Sequence, residues 1–215
     1  MTENVVGQRE APEIFLLSDP RLAEHSGYDA MFQTAAAGYG FLRTFLGDAT
    51  QRQALFSAGM HPERVLVALV KGRFAGILGF KLHGSGPMAP SWRDFFRVYG
   101  WHAWRAWAAF RLAERFMRSA GVYVCWLHVF PEFRRQGVGS VLMHALSNIA
   151  LQHGKNSLKL HVRRNNMPAN AFYGAMGFVP TEEHSVILRL LSRVTGFDFL
   201  CLERKVPAER IVGTA

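Results

Sequence analysis

The seven residues Arg134-Arg135-Gln136-Gly137-Val138-Gly139-Ser140 have the composition of an anion site. Two glycines at a helix entrance let the backbone turn free N–H groups toward one point, and the helix dipole adds positive potential there. Two arginines and a glutamine at the rim suit a ligand that carries phosphates. Taken alone, the loop is equally a plain strand-to-helix turn. It is not the dinucleotide fingerprint, because no third glycine follows at the required spacing. It is not a P-loop either, because no Gly-Lys-Ser/Thr closes it.

The loop must be held by its neighbours. Val122 to Val129 is rich in β-branched and aromatic residues and reads as a strand. After the loop, Val141, Leu142, Ala145, Leu146 and Ile149 recur at helical spacing, with the helix running to His153. A second strand-like run spans Ser157 to Val162. Behind it lies Asn166-Met167-Pro168-Ala169-Asn170-Ala171-Phe172-Tyr173-Gly174-Ala175-Met176-Gly177-Phe178, where Pro168 suits the first turn of a helix reaching Met176. Upstream, Glu13 to Leu17 opens a sheet, and Tyr28 to Phe45 and Ala49 to Ala58 read as helices around Gly38-Tyr39-Gly40. Arg64 to Val70 and Phe74 to Leu82 are strands joined by Lys71-Gly72-Arg73, a hairpin signal, and Phe197 to Lys205 supplies a last strand. Strands mingled with helices predict an α/β fold.

The two segments together resemble the signatures of the GCN5-related N-acetyltransferases, the GNAT superfamily. The first signature, Gln/Arg-x-x-Gly-x-Gly/Ala, is met by Arg134, Gly137 and Gly139, preceded by Val129-x-Pro131-Glu132-x-Arg134. The second, Asn-x-x-Ala-x-x-aromatic/Leu-Tyr-x-x-x-Gly-Phe, is met by Asn166, Ala169, Phe172, Tyr173, Gly177 and Phe178. The resemblance covers roughly Tyr123 to Phe178. It implies a mixed, splayed β-sheet flanked by helices, opening between the strands that end near Val129 and Val162. It also implies acetyl-CoA in the splay, with Arg134, Arg135, Gln136, Gly137, Val138, Gly139 and Ser140 at the pyrophosphate. Backbone groups of Leu127 and Val129 would pair with the pantetheine arm like an added strand. The Val129 N–H would polarise the thioester carbonyl. Asn166 would bond the pantetheine region, and Tyr173 would give a proton to the departing thiolate, a phenol of pKa about 10 facing a thiol of about 8.5.

The implied reaction is direct transfer of acetyl to a primary amine of a small molecule or protein. A transferase for longer acyl-CoA, and a non-catalytic acyl-CoA-binding or membrane-associated module, are the other readings. Each residue also has a plainer role: Tyr173 packing on its helix, Asn166 capping it, Arg135 solvated, Cys125 an apolar filler. The general base is unassigned. Strict alternation puts Tyr123, Cys125, Leu127 and Val129 on one strand face, and family members that draw a base from this strand often carry His or Glu where this chain has Tyr123 and Cys125. His128 has a suitable pKa but lies on the opposite face. Glu132 belongs to the loop signature, while Glu182, Glu183 and His184 are placed to line the acceptor side.

The organisation expected is a tail over 1–11, one acyltransferase domain over 12–206 with a helical insertion at about 88–120, and a tail over 207–215. Of the 215 residues, 49% are hydrophobic and 19% charged, a globular balance. No apolar run reaches the length of a membrane span, and the N-terminus has no secretory apolar segment. Cys125 and Cys201 read as buried free thiols, so a cytoplasmic setting is expected. The nine histidines show no metal spacing, and no metal is expected. The net charge of +9 answers a polyanionic cofactor in part. No nucleic-acid module is evident and no nucleic-acid partner is expected.

Ser91 to Ala120 is the least family-like stretch, with Trp92, Trp101, Trp104 and Trp107 among Arg93, Arg97, Arg105, Arg111, Arg115 and Arg118. Trp92, Phe95, Phe96 and Tyr99 share one helix side, Gly100 breaks the helix, and Ala103, Ala106, Phe110, Ala113 and Met117 form an apolar stripe beyond it. The plainest reading is an insertion packed on the sheet. A cover over the acceptor site and a homodimer contact come next, and a peripheral membrane contact through 91–118 last.

Overall fold

β-branched and aliphatic runs fix the centre of the sheet. Val65–Val70 (β2) is apolar throughout and buried on both faces, the signature of a strand covered by helices on either side. Lys71 and Gly72, both at positive φ, turn the chain directly into Arg73–Lys81 (β3). A computed structural model describes residues 11–25, 27–28, 31, 33, 43–117, 119–181 and 198–207. Most of the helix expected over Tyr28 to Phe45 lies outside them, as do Glu182, Glu183, His184 and nearly all of both expected tails.

The remaining strands are Glu13–Leu16 (β1), Val122–Val129 (β4), Ser157–Arg163 (β5), Val179–Pro180 (β6) and Phe199–Lys205 (β7). They form one seven-stranded sheet in the order β1-β2-β3-β4-β5-β7-β6. Every neighbouring pair is antiparallel except β4 and β5, which run parallel. The described helices are Arg43–Leu46 (α1), Ala49–Ala58 (α2), Trp92–Tyr99 (α3), Ala103–Phe116 (α4), Val138–Gln152 (α5) and Met167–Ala175 (α6). Capping boxes start α2 at Asp48 with Gln51 and α3 at Ser91 with Asp94. The mixed, splayed sheet flanked by helices that the resemblance implied is the observed architecture. The two-residue β6 is too short to carry an alternation, and it was not expected.

One face of the sheet packs Leu66, Leu78, Phe80, Val124, Leu160 and Leu202 against Val138, Leu142 and Leu146 of α5 and Tyr173 of α6. The other face carries Tyr123 against Phe56, Phe95, Ala106 and Phe110 of α2, α3 and α4. Ala103, Ala106, Phe110, Ala113 and Met117 all lie inward, as their spacing predicts. The shared side expected on α3 is split. Phe95 is buried and the Tyr99 hydroxyl donates to the Leu46 carbonyl at 2.9 Å, whereas Trp92 and Phe96 stand exposed.

An ion pair ties α4 to the sheet. The Lys81 ammonium meets the Glu114 carboxylate with side-chain exposures of 7% and 17%. Removing one member of a buried pair strands the other charge, at a cost of about 3 kcal/mol. Glu114→Ala should therefore lower the denaturant midpoint strongly. The double variant Lys81→Met/Glu114→Leu should recover most of the loss, and equal midpoints for the two variants would remove the pair from the account of stability.

Candidate active site

The strict alternation expected along β4 is interrupted. Gly79 pairs with Trp126 and Phe80 with Val124, so the register shifts by one residue at Cys125, a β-bulge. The bulge reverses the face of everything after it. Leu127 and Val129 pack with Val122 and Val124 on the α5–α6 side, while Tyr123 and Trp126 belong to the clusters on the other face. Tyr123 therefore does not share a face with Leu127 and Val129. A one-residue slip moves each later side chain across the sheet.

Beyond the bulge the sheet opens. β4 and β5 pair only over Val122–Val124 and Leu158–Leu160. Phe130 donates its N–H to the Ala75 carbonyl at 3.0 Å, and Leu127 and Val129 lie opposite Leu78 and Gly76 of β3. Backbone groups alternate in direction along such a ladder, so His128 and Trp126 spend theirs on β3. Leu127 and Val129 aim theirs into the gap. The Arg134 Nε donates to the Val129 carbonyl at 3.1 Å across the mouth of that gap.

Glycine geometry builds the loop. Gly137 is in the left-handed region at φ 84° and is the N-cap of α5, with no side chain capping the helix. The first intrahelical bond runs from the Val141 N–H to the Gly137 carbonyl, so the amides of Val138, Gly139 and Ser140 precede it. Gly139 lets the helix start approach α6, since a Cβ there would sit 3.3 Å from the Phe172 ring. Arg135 is exposed with φ 58°, an uncommon conformation for a side-chain-bearing residue. Gln136 turns back to donate to the Glu132 carbonyl at 2.7 Å, and Glu132 faces Arg73 at 3.5 Å.

Asn166 caps α6 by accepting from the Ala169 N–H at 3.3 Å. One turn further, Tyr173 is packed between Phe172 and Phe178 with ring centroids at 5.2 and 5.6 Å. Burial pushes its phenol up to about 12. Among the described residues no side chain or carbonyl is bonded to its hydroxyl. Leu127, Val129, Arg134, Arg135, Gly137, Val138, Gly139, Ser140, Asn166 and Tyr173 all line one cleft of about 700 Å³, together with His128 and Phe133. Gln136 is the one expected site residue that does not line it. His128 meets Phe130 edge-on, and partial desolvation together with the Arg134 charge holds its ring below the usual histidine value.

The sequence model of the acetyltransferase (GNAT) family matches residues 28–178, more than half of the chain. The chain belongs to the GNAT acetyltransferase family. It is accordingly an acetyltransferase, in a family whose general reaction is acyl-CoA-dependent N-acetyl transfer. Among solved structures, this GNAT member is similar to SsHAT, at 15% identity over 92% of this chain and 100% of that one, with a TM-score of 0.55. It is also similar to a GNAT-family protein of Desulfovibrio desulfuricans (16%, 92% and 100%, TM-score 0.52). A third is the PaiA N-acetyltransferase of Thermoplasma acidophilum, solved with coenzyme A (13%, 91% and 99%, TM-score 0.51). Identities this low establish the common fold.

Two residues of this GNAT domain stand near the gap without having been singled out from sequence. The Trp126 ring lies over Gly79, where a Cβ would be 2.4 Å away, so a glycine on β3 makes room for an indole on β4. His161 of β5 is hydrogen-bonded to Tyr123, with 2.8 Å between Oη and Nδ1. The alternation of Leu158, Leu160 and Val162 with Lys159, His161 and Arg163 was the available signal, since it puts His161 on the face away from α5.

Proposed function

We propose that this acetyltransferase moves an acetyl group from acetyl-CoA directly to a primary amine of a small molecule or protein. The observation that carries the reading is convergence on one cleft of uncapped helix amides, β4 backbone that β5 does not pair and a largely buried tyrosine. The loop from Arg134 to Ser140 takes the pyrophosphate, through main-chain donors rather than the Gln136 side chain. Leu127 and Val129 hold the pantetheine arm as an added strand, with Asn166 beside it. The likeness to PaiA, which was solved with coenzyme A, supports this placement.

As the amine nitrogen bonds to the thioester carbon, the carbonyl oxygen gathers charge that the Val129 N–H is aimed to receive. The C–S bond then breaks, and its electron pair leaves with sulfur toward Tyr173. A phenol near 12 lies about three to four pH units above a thiol. Tyr173 therefore acts first as a hydrogen-bond donor to the developing thiolate, a stricter role than the ordinary phenol pKa suggested. The amine's proton goes to His128, which lines this cleft and whose ring is held below the usual histidine value by desolvation and the Arg134 charge.

Release of free thiol from acetyl-CoA across a panel of amines tests the reaction. Tight acetyl-CoA binding without turnover on any amine, and without any effect of Tyr173 substitution, would count against it. The His128 assignment has its own signature. Because the neutral ring is the active form and its pKa lies below the usual histidine value, kcat should fall only as pH drops through that lowered value. His128→Ala should lower kcat about a hundredfold and erase the acidic limb. A variant that keeps the limb places the base elsewhere.

A further inference from the structure

Five aromatic side chains of the α3–α4 hairpin stand out of the surface: Trp92, Phe96, Trp101, Trp104 and Trp107, with Trp101 88% and Trp104 63% exposed. They form one patch. Trp92 meets Trp107 edge-on at 5.9 Å and Phe96 meets Trp101 at 6.4 Å, while Trp92 and Phe96 lie one turn apart on α3 and Trp104 and Trp107 one turn apart on α4. The buried stripe from Ala103 to Met117 already anchors the hairpin to the sheet, so these rings serve no core. Contiguous exposed apolar surface of this kind marks a contact site.

Among the described residues, the exposed charged side chains of the hairpin are all arginines. Arg111 lies 6.0 Å from the Trp107 ring, and Arg93, Arg105 and Arg115 are exposed on the same two helices, Arg111 and Arg115 also lining a cavity at Lys81. Among the described residues no carboxylate pairs with any of these four. The two carboxylates of the hairpin are engaged elsewhere, Asp94 with Ser91 and Arg97, and Glu114 with Lys81.

We propose that the α3–α4 hairpin docks the protein on an anionic lipid surface, its indoles at headgroup depth and its arginines on the lipid phosphates. Tryptophan favours that boundary because its ring is apolar and its N–H polar. Two-fold pairing of copies through this face would set arginine against arginine with no carboxylate between. The rings project from a hairpin and line neither the cleft at Tyr173 nor the 460 Å³ cavity at Lys81. A fluid surface needs no groove. No helix among the described residues is long and apolar enough to cross a membrane, so the hairpin lies on the bilayer.

The test is co-sedimentation of the full chain with vesicles of phosphatidylcholine alone and of phosphatidylcholine with phosphatidylglycerol. Binding is expected only to the anionic vesicles, with a blue shift of tryptophan emission and weakening by salt. Arg111→Gln/Arg115→Gln should weaken partitioning about twenty-five-fold, since each arginine near such a surface contributes about fivefold. Trp101→Ala/Trp104→Ala should weaken it about tenfold, and both variants should unfold at the wild-type midpoint because all four side chains are exposed. Absence of binding to anionic vesicles at low salt, or unchanged partitioning of both variants, overturns the proposal. So does a lipid-free dimer that Trp101→Ala/Trp104→Ala abolishes, which would assign the face to a second copy. Tryptophan-dependent binding of soluble poly-glutamate in preference to anionic vesicles would assign it to an acidic peptide.

Discussion

Tyr173→Phe is expected to lower kcat for acetyl transfer about a hundredfold, while the KM for acetyl-CoA changes by less than about threefold. The asymmetry follows from the packing. The ring sits between Phe172 and Phe178 on the core side of α6, and phenylalanine keeps those contacts. What disappears is one hydroxyl facing the cleft, an interaction made with sulfur only as the C–S bond breaks. A factor of one hundred corresponds to about 2.7 kcal/mol of transition-state stabilisation, reasonable for one hydrogen bond to a charged atom in a partly dry site. Since burial places the phenol near 12, the hydroxyl stays protonated across the working range. Its contribution is lost only as pH rises through that value. Steady-state thiol release at saturating amine reads the effect, and an unchanged kcat would reduce Tyr173 to packing.

The second large effect concerns the loop. Gly137→Leu should weaken coenzyme A binding about a hundredfold, read by calorimetric titration. A Cβ at Gly137 meets no protein atom within 4 Å, so the new side chain projects into the cleft above the amides of Val138, Gly139 and Ser140. Part of the cost is conformational, because φ 84° belongs to the left-handed region and a side chain there costs roughly 1–2 kcal/mol. Gly154 provides the control. It has φ 65° and equally open surroundings just past the far end of α5, so Gly154→Leu carries the same strain without touching the cleft. Comparable stability loss in both variants with weakened coenzyme A binding in Gly137→Leu alone places the pyrophosphate. Unchanged affinity in Gly137→Leu would undo that placement.

Local chemistry made much of this legible before any coordinates. β4 runs from Val122 to Val129 as its composition predicts, and α2 and the inward stripe of α4 keep their expected residues. Residues of both signatures line one cleft, where α5 starts so near α6 that a Cβ on Gly139 would sit 3.3 Å from the Phe172 ring. The bulge at Cys125 was not legible. Nothing in the run from Val122 to Val129 marks an extra residue, and the glycine that leaves room for the Trp126 ring, Gly79, lies on another strand. The Tyr123–His161 contact was hidden for the same reason, since it depends on the register of two strands 38 residues apart in the chain. The exposed side of α3 was misjudged because helical spacing gives neighbours on a cylinder and not which of them finds a core.

The three residue pairs joining β4 to β5 divide the sheet into two half-sheets, β1 to β4 and β5 to β7 with β6. Each half is internally braced by long antiparallel ladders, while the seam between them is short and confined to one end. α5 spans that division, packing on β2 and β3 of the first half and on β5 of the second, so the half-sheets share a helix as well as three residue pairs. On the placement proposed above, an acetyl-CoA held along the gap would touch both half-sheets at once. While bound, the donor would supply contacts across the seam that the strands themselves do not make.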